Sequence, residues 1–176
     1  MHTAIKEILI SEEQIRSRCA ELGKQISEDY AGKTPILVGL LKGSVPFMAE
    51  LMKYITVDCE IDFMDVSSYS GTESVGDVRI DKDLSGSIVG DDIILIEDIV
   101  DTGRTLDTVV KLLKSKGANS VKIVTLLDKP ERRVVKIDAD YSGFTIPNEF
   151  VVGYGLDYDQ KYRNLPYIGI LSEEMY

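Results

Sequence analysis

The sequence predicts an α/β domain with a mainly parallel central sheet covered by helices on both faces. Three observations carry this. The runs 35–41, 92–98 and 121–127 are apolar almost throughout, the pattern of strands buried on both sides. Segments of helical periodicity, 11–30, 45–54 and 105–116, alternate with them. The length of 176 residues suits one domain, residues 1–176, with enough chain to bury a real core.

Each element has a local reason. Ser11 with Gln14 three residues on is a capping box that opens the first helix. Ile15, Cys19, Leu22 and Ile26 then recur along one face, and Gly32 closes the segment. Pro35 to Leu41 is the first buried strand and Val45 to Tyr54 a second helix. Val57, Cys59, Ile61 and Phe63 alternate with polar residues, which predicts a half-buried strand. Residues 67–90 are rich in Ser, Gly and Asp, with Gly71, Gly76, Gly86 and Gly90. So long a weakly patterned stretch inside a domain predicts a functional flap, in which 78–84 can pair as an edge strand. Leu106, Val109, Val110 and Leu113 share one face of the third helix, and Gly117 follows it. Residues 137–140, 150–152 and 167–171 are shorter strand candidates, and no element is assigned to Met1–Ser11.

Composition excludes several functions. Hydrophobic residues are 44% and charged residues 28%, as in soluble proteins, and no run approaches the ~20 apolar residues of a membrane span. Met1–Ser11 carries Glu7 and is a poor signal peptide. Cys19 and Cys59 match no metal-ligand spacing and sit in apolar patterns, so buried thiols and a reducing cytoplasm are expected. The net charge of −10 argues against nucleic acid or anionic membrane as partners. An anionic substrate therefore needs local donors or a metal ion. The only histidine is His2, near the terminus, so a general base must be a carboxylate or another group and His-based triads are excluded.

The chemistry concentrates in residues 93–106, IILIEDIVDTGRTL. An apolar strand ends in Glu97 and Asp98, and Asp101, Thr102, Gly103, Arg104 and Thr105 lead into a helix. Parallel sheets bind ligands at the carboxyl ends of their strands, beside the next helix N-termini. Such an N-terminus offers unpaired N–H groups and a positive dipole end. Gly103 permits close backbone approach, and Thr102 and Thr105 add hydroxyls, so the turn suits a phosphate. Glu97 and Asp98 would repel phosphate and suit sugar hydroxyls or Mg²⁺. Phosphate on one side and a diol on the other describe a ribose 5-phosphate. A strand followed by an Asp or Thr helix cap is common by itself; the acidic doublet at the strand end is what sets this string apart.

That string resembles the phosphoribosyl pyrophosphate signature of the type I phosphoribosyltransferases, and most of all the hypoxanthine-guanine phosphoribosyltransferases of the bacterial kind. The resemblance covers nearly the whole chain. Leu41-Lys42-Gly43 is similar to the first active-site loop, where a Leu-Lys peptide is often cis and its backbone meets pyrophosphate. Ser68-Tyr69 resembles the start of the mobile loop. Leu127-Asp128-Lys129 resembles the strand end whose lysine reaches the purine 6-oxo group. Residues 150–158, FVVGYGLDY, resemble the purine pocket with its metal-binding aspartate, Asp157. Arg163 stands where the family has an arginine for pyrophosphate. Two places depart from the pattern. Arg104 occupies a position where the family often has a small or aliphatic residue, and it either adds a phosphate contact or points to solvent. The loop after Tyr69 has no pattern that aligns.

The resemblance implies the type I phosphoribosyltransferase fold, with a small hood formed by the chain ends. It implies Mg²⁺ held by Glu97, Asp98 and Asp157, and phosphoribosyl and pyrophosphate contacts from Lys42, Gly43, residues 97–98 and 101–105, and Arg163. It places Lys129, Phe150, Val151 and Asp157 at the purine and makes Asp101 the base that takes the N7 proton. Phosphoribosyl pyrophosphate with hypoxanthine or guanine are the implied substrates, and a homodimer or homotetramer the implied assembly. Three rival readings fit less well. A regulator of RNA or DNA on the same fold needs a basic face, which this chain lacks. Specificity for adenine or a pyrimidine sits poorly with Lys129, while xanthine stays open. A generic nucleotide-binding module leaves Glu97, Asp98 and Asp101 unexplained.

Overall fold

The structure is a computed structural model that describes residues 1–68 and 78–176. Tyr69 and residues 71–76 of the expected flap lie outside the described residues. Nine strands and three α-helices are described: β1 (Ile5–Ile10), α1 (Glu12–Asp29), β2 (Ile36–Leu41), α2 (Val45–Leu51), β3 (Glu60–Ser68), β4 (Val78–Lys82), β5 (Asp92–Val100), α3 (Arg104–Ser115), β6 (Ser120–Asp128), β7 (Tyr141–Thr145), β8 (Val151–Val152) and β9 (Ile168–Leu171).

The main sheet has the order β4-β3-β2-β5-β6-β7. Its ladders are parallel except at the edge, where β4 runs antiparallel to β3. Side chains alternate across the sheet, and this splits the core into two layers. Leu37, Ile94, Ile96, Val124 and Leu126 face α1 and α2, whose Ile15, Cys19, Leu22, Phe47 and Met48 complete that layer. Val38, Ile93, Leu95 and Ile123 face α3 through Leu106, Val109 and Leu113. Burial on both faces is why these strands read as unbroken apolar runs. The capping box forms as expected: the Ser11 hydroxyl accepts from Gln14 N–H at 3.2 Å, and the Gln14 side chain accepts from Ser11 N–H at 2.8 Å. No helix among the described residues is long and apolar enough to cross a membrane.

The chain ends build a second, three-stranded antiparallel sheet, β1-β9-β8. It corresponds to the expected hood, but β1 was not foreseen. Register shifts between Ile5 and Glu7 and between Ile8 and Ile10 break the period-two pattern of β1, leaving three of its residues exposed in a row.

Other expectations need correction. The edge strand at 78–82 is present, but the residues after it are not part of an open flap. Ile88 is 3% exposed in the core, Ser85 binds Asp62 at 2.8 and 3.0 Å, and Asp83 pairs with Lys116 at 2.9 Å. The strand expected at 137–140 lies at Tyr141–Thr145 instead. Ile137 and Ala139 pack beside α3 without a ladder, whereas Gly143 lets this edge strand pass close to the Leu126 carbonyl, which a Cβ would overlap. Cys19 is buried and Cys59 half-buried, and both are free thiols.

Candidate active site

The carboxyl ends of the parallel strands converge on one edge of the sheet, and three of them carry the residues in question. β2 leads into Lys42-Gly43, β5 ends around Glu97 and Asp98, and β6 ends at Asp128-Lys129. The Leu41–Lys42 peptide is cis. Lys42 is exposed and its ammonium reaches Gln160 at 3.4 Å. Gly43 is buried, and a Cβ there would overlap the Asp98 carboxylate. Gly155, at φ +99, packs on the Gly43 carbonyl, so the hood side of the site closes directly over this loop.

Glu97 and Asp98 keep some surface exposure but are densely ringed by protein. Asp98 N–H donates to Glu97 at 3.1 Å, and Ile99 N–H donates to Asp98 at 2.7 Å. Loss of hydration, then the Asp98 charge, pushes the Glu97 carboxyl well above its ordinary range. Burial raises Asp98 too, opposed by its hydrogen bonds and by the Arg163 charge. Two adjacent, poorly hydrated carboxyls are a donor set that suits Mg²⁺, which typically takes one or two carboxylates and fills its other positions with water and substrate phosphate. Among the described residues no three His, Cys, Asp or Glu side chains form a ready cage. Asp157 is engaged elsewhere: it pairs with Arg163 at 3.2 Å and accepts from Gln160 N–H at 2.9 Å. The structure therefore does not bring Asp157 into one cluster with Glu97 and Asp98, nor does it line the base cavity described below. Arg163 also donates to the Gly155 carbonyl at 2.6 Å, while its buried Nε has no partner among the described residues.

Two adjoining cavities follow. The smaller, about 150 Å³, is formed by Glu97, Asp101, Thr102, Gly103 and Thr105 at the start of α3. The N-cap of α3 is Gly103 itself, left-handed at φ +84, with no side-chain cap; at the first turn, Arg104 N–H makes only a long bond, to the Thr102 hydroxyl at 3.5 Å. The glycine is needed for more than ligand approach: a Cβ there would stand 2.6 Å from Ile137. Arg104, for which a phosphate contact and solvent were both open, is exposed and does not line this cavity.

The larger cavity, about 440 Å³, brings together Asp101, Lys129, Phe150 and Val151, four residues singled out from the sequence. Lys129 is only 8% exposed, and its ammonium makes no hydrogen bond to a described residue. Burial lowers its pKa, against the pull of Asp101 and Glu149. Phe150 presents a ring 39% exposed, unusual for a phenylalanine beside a strand. Ser68 closes β3 and lines neither cavity; Tyr69 lies outside the described residues.

Sequence reasoning missed Arg132 and Tyr176, which line the same cavity with Ile99 and Leu156, two residues inside its motifs to which it gave no individual role. Arg132 Nε donates to Asp101 at 2.9 Å, and Arg133 clasps the Asp101 carbonyl at 2.8 Å and Asp128 at 2.6 Å. The signal available was the pair of arginines just after the β6 strand end, beside the acidic end of β5. Another cavity, about 430 Å³, opens at the amino ends of the strands, but its acids are satisfied: Asp29 by Tyr141, Asp92 by Asn119 and Ser120, Asp140 by Ile123 N–H.

The family profile described as "Phosphoribosyl transferase domain" matches residues 6–159. This chain belongs to the phosphoribosyltransferase family. It is 60% identical over 173 residues to the hypoxanthine-guanine phosphoribosyltransferase of Streptococcus mutans, covering 98% of this chain and 96% of that protein. It is 56% identical over 177 residues to the bifunctional protein TilS/HprT of Listeria monocytogenes, where it spans 100% of this chain but 27% of the longer protein. A crystal structure of a hypoxanthine phosphoribosyltransferase from Staphylococcus aureus superposes with a TM-score of 0.96 at 56% identity, covering 100% of this chain and 96% of that one. The phosphoribosyltransferase fold thus explains both the mainly parallel sheet and the hood.

Proposed function

We propose that this phosphoribosyltransferase acts in purine salvage as a single domain. It would transfer the 5-phosphoribosyl group of phosphoribosyl pyrophosphate to hypoxanthine or guanine, giving IMP or GMP and pyrophosphate. The observation that carries this reading is the larger cavity: a largely buried lysine whose ammonium has no hydrogen-bond partner among the described residues, an exposed aromatic residue and a carboxylate, adjoining a helix N-terminus that no side chain caps. The names of the relatives support the same substrates.

Each residue then has a task. The N–H groups at the start of α3, with Thr102 and Thr105, hold the 5-phosphate. Glu97 and Asp98 accept from the ribose hydroxyls and would hold Mg²⁺; Asp157, paired with Arg163, would face the leaving group. Bound there, Mg²⁺ supplies positive charge that stabilises the departing pyrophosphate. The backbone of Lys42-Gly43 and the Arg163 guanidinium face the same leaving group. Phe150 stacks on the base and aligns it with C1, while Val151 backbone groups meet the purine edge. Lys129 donates to the 6-oxo oxygen. As purine N9 bonds to C1 and the C1–pyrophosphate bond breaks, the N7 proton passes to Asp101. The acidic chain favours no nucleic-acid partner, and the family resemblance supports a homodimer or homotetramer.

An initial-rate panel tests this. Hypoxanthine and guanine should turn over with phosphoribosyl pyrophosphate and Mg²⁺, adenine very poorly, and excess chelator should stop the reaction until Mg²⁺ is returned. Full activity in chelator, or no turnover of any 6-oxopurine, would overturn it.

A further inference from the structure

Phe150 raises a physical question that the reaction alone does not answer. A ring that is to stack on a base must hold its plane, yet this one precedes a strand of two residues and sits outside the hydrophobic layers. The backbone is anchored, because Leu171 N–H donates to the Phe150 carbonyl at 2.9 Å. That bond leaves the side chain free to turn.

Two other rings constrain it. Tyr176 stacks on Phe150 with centroids 4.9 Å apart and planes 25° from parallel. Tyr158 meets Phe150 edge-on, at 5.6 Å and 86°, and Tyr176 at 6.2 Å and 62°. The three rings close a triangle, and these offset and edge geometries are the favourable ones for aromatic quadrupoles. Tyr176 is delivered there by the chain after β9. Ser172 N–H donates to the Ala4 carbonyl at 2.9 Å, and a single 3₁₀ turn over Glu173–Met175 brings the last ring back across the hood. Of the two tyrosines, only Tyr176 also lines the base cavity.

We infer that Tyr176 is a positioning residue of the base pocket: its ring fixes the plane of Phe150 and so sets the affinity for the purine. This rests on the purine-salvage reading above. It predicts a signature confined to one substrate, since none of the three rings lines the cavity at the start of α3. Tyr176 is 55% exposed, so replacing it leaves the folded core intact.

The experiment compares wild type, Tyr176→Ala and Tyr176→Phe by steady-state kinetics, varying hypoxanthine and phosphoribosyl pyrophosphate separately. Loss of one aromatic pair should raise the KM for hypoxanthine about two- to tenfold in Tyr176→Ala. The KM for phosphoribosyl pyrophosphate and kcat should stay at wild-type values. Tyr176→Phe should restore the hypoxanthine KM, because the stack uses the ring and the hydroxyl has no partner in it. An unchanged or lowered hypoxanthine KM in Tyr176→Ala, with wild type active, overturns this inference alone. So does a parallel rise in both KM values. Failure of wild type to use any 6-oxopurine overturns this inference together with the reading it rests on.

Discussion

Lys129→Gln is the most informative change to the site. The wild-type side chain is 8% exposed, lines the base cavity, and finds no hydrogen-bond acceptor among the described residues. Burial of most of the side chain already disfavours its charged form, and a ligand oxygen would offset that. An ammonium has three donors and no acceptor, so it accepts a 6-oxo group and opposes a 6-amino group. A hydrogen bond to a charged group contributes about 1.5–3 kcal/mol. At about 1.4 kcal/mol per tenfold, removing it should lower kcat/KM for hypoxanthine by about 10- to 150-fold. A polar site of this kind can reject a mismatched analogue by about 10⁴-fold, so adenine should be a very poor substrate of wild type. Glutamine offers either a donor or an acceptor, and the gap between the two bases should narrow. Initial rates for hypoxanthine and adenine, in both proteins, give the four values needed. Equal use of the two bases by wild type, or an unchanged hypoxanthine kcat/KM in the variant, would refute the assignment.

Three further expectations follow from the same geometry. Asp101→Asn keeps an acceptor for Arg132 Nε, now at 2.9 Å, but cannot take a proton; kcat should fall by about 10²–10⁴-fold while phosphoribosyl pyrophosphate still binds, and near-normal kcat would remove Asp101 from the role. Gly43→Ala places a methyl group on the Asp98 carboxylate, so kcat/KM for phosphoribosyl pyrophosphate should drop about 10²-fold; unaltered kinetics would mean that the loop yields without consequence. Burial pushes the Cys19 thiol from 9.0 up to about 12, and burial then Asp92 push Tyr30 from 10.0 up to about 12, with Tyr141 and Tyr154 raised as well. A raised folded-state value means the folded protein holds its protons longer than the unfolded chain. Stability from these groups is therefore complete below about pH 9 and lost as pH climbs toward about 12, so Tm should decline across that window, and a flat Tm would contradict the burial argument.

What the sequence determined by itself was local chemistry and everything that follows from an unbroken period. The runs at 36–41, 92–100 and 120–128 could be read as buried strands because both of their faces meet helices. The α1 capping box is a contact over three residues and needs no tertiary context. The acidic doublet, the Asp101–Thr105 turn and Lys129 could be named because each stands at a strand end, where an α/β sheet binds its ligands. Tertiary structure decided what depends on residues far apart in the chain. β1 exists because β9 pairs with it from about 160 residues away, and its register shifts hid it from any periodicity. Residues 83–90 are held by Asp62 and Lys116, partners that no local pattern announces. Arg104 is exposed outside the phosphate cavity and Asp157 pairs with Arg163, since the surroundings of a side chain are set by the fold rather than by its place in a motif. Arg132 on Asp101 and Tyr176 on Phe150 are likewise contacts between separate elements, 31 residues apart in the first case, and only the folded chain brings them to one cavity.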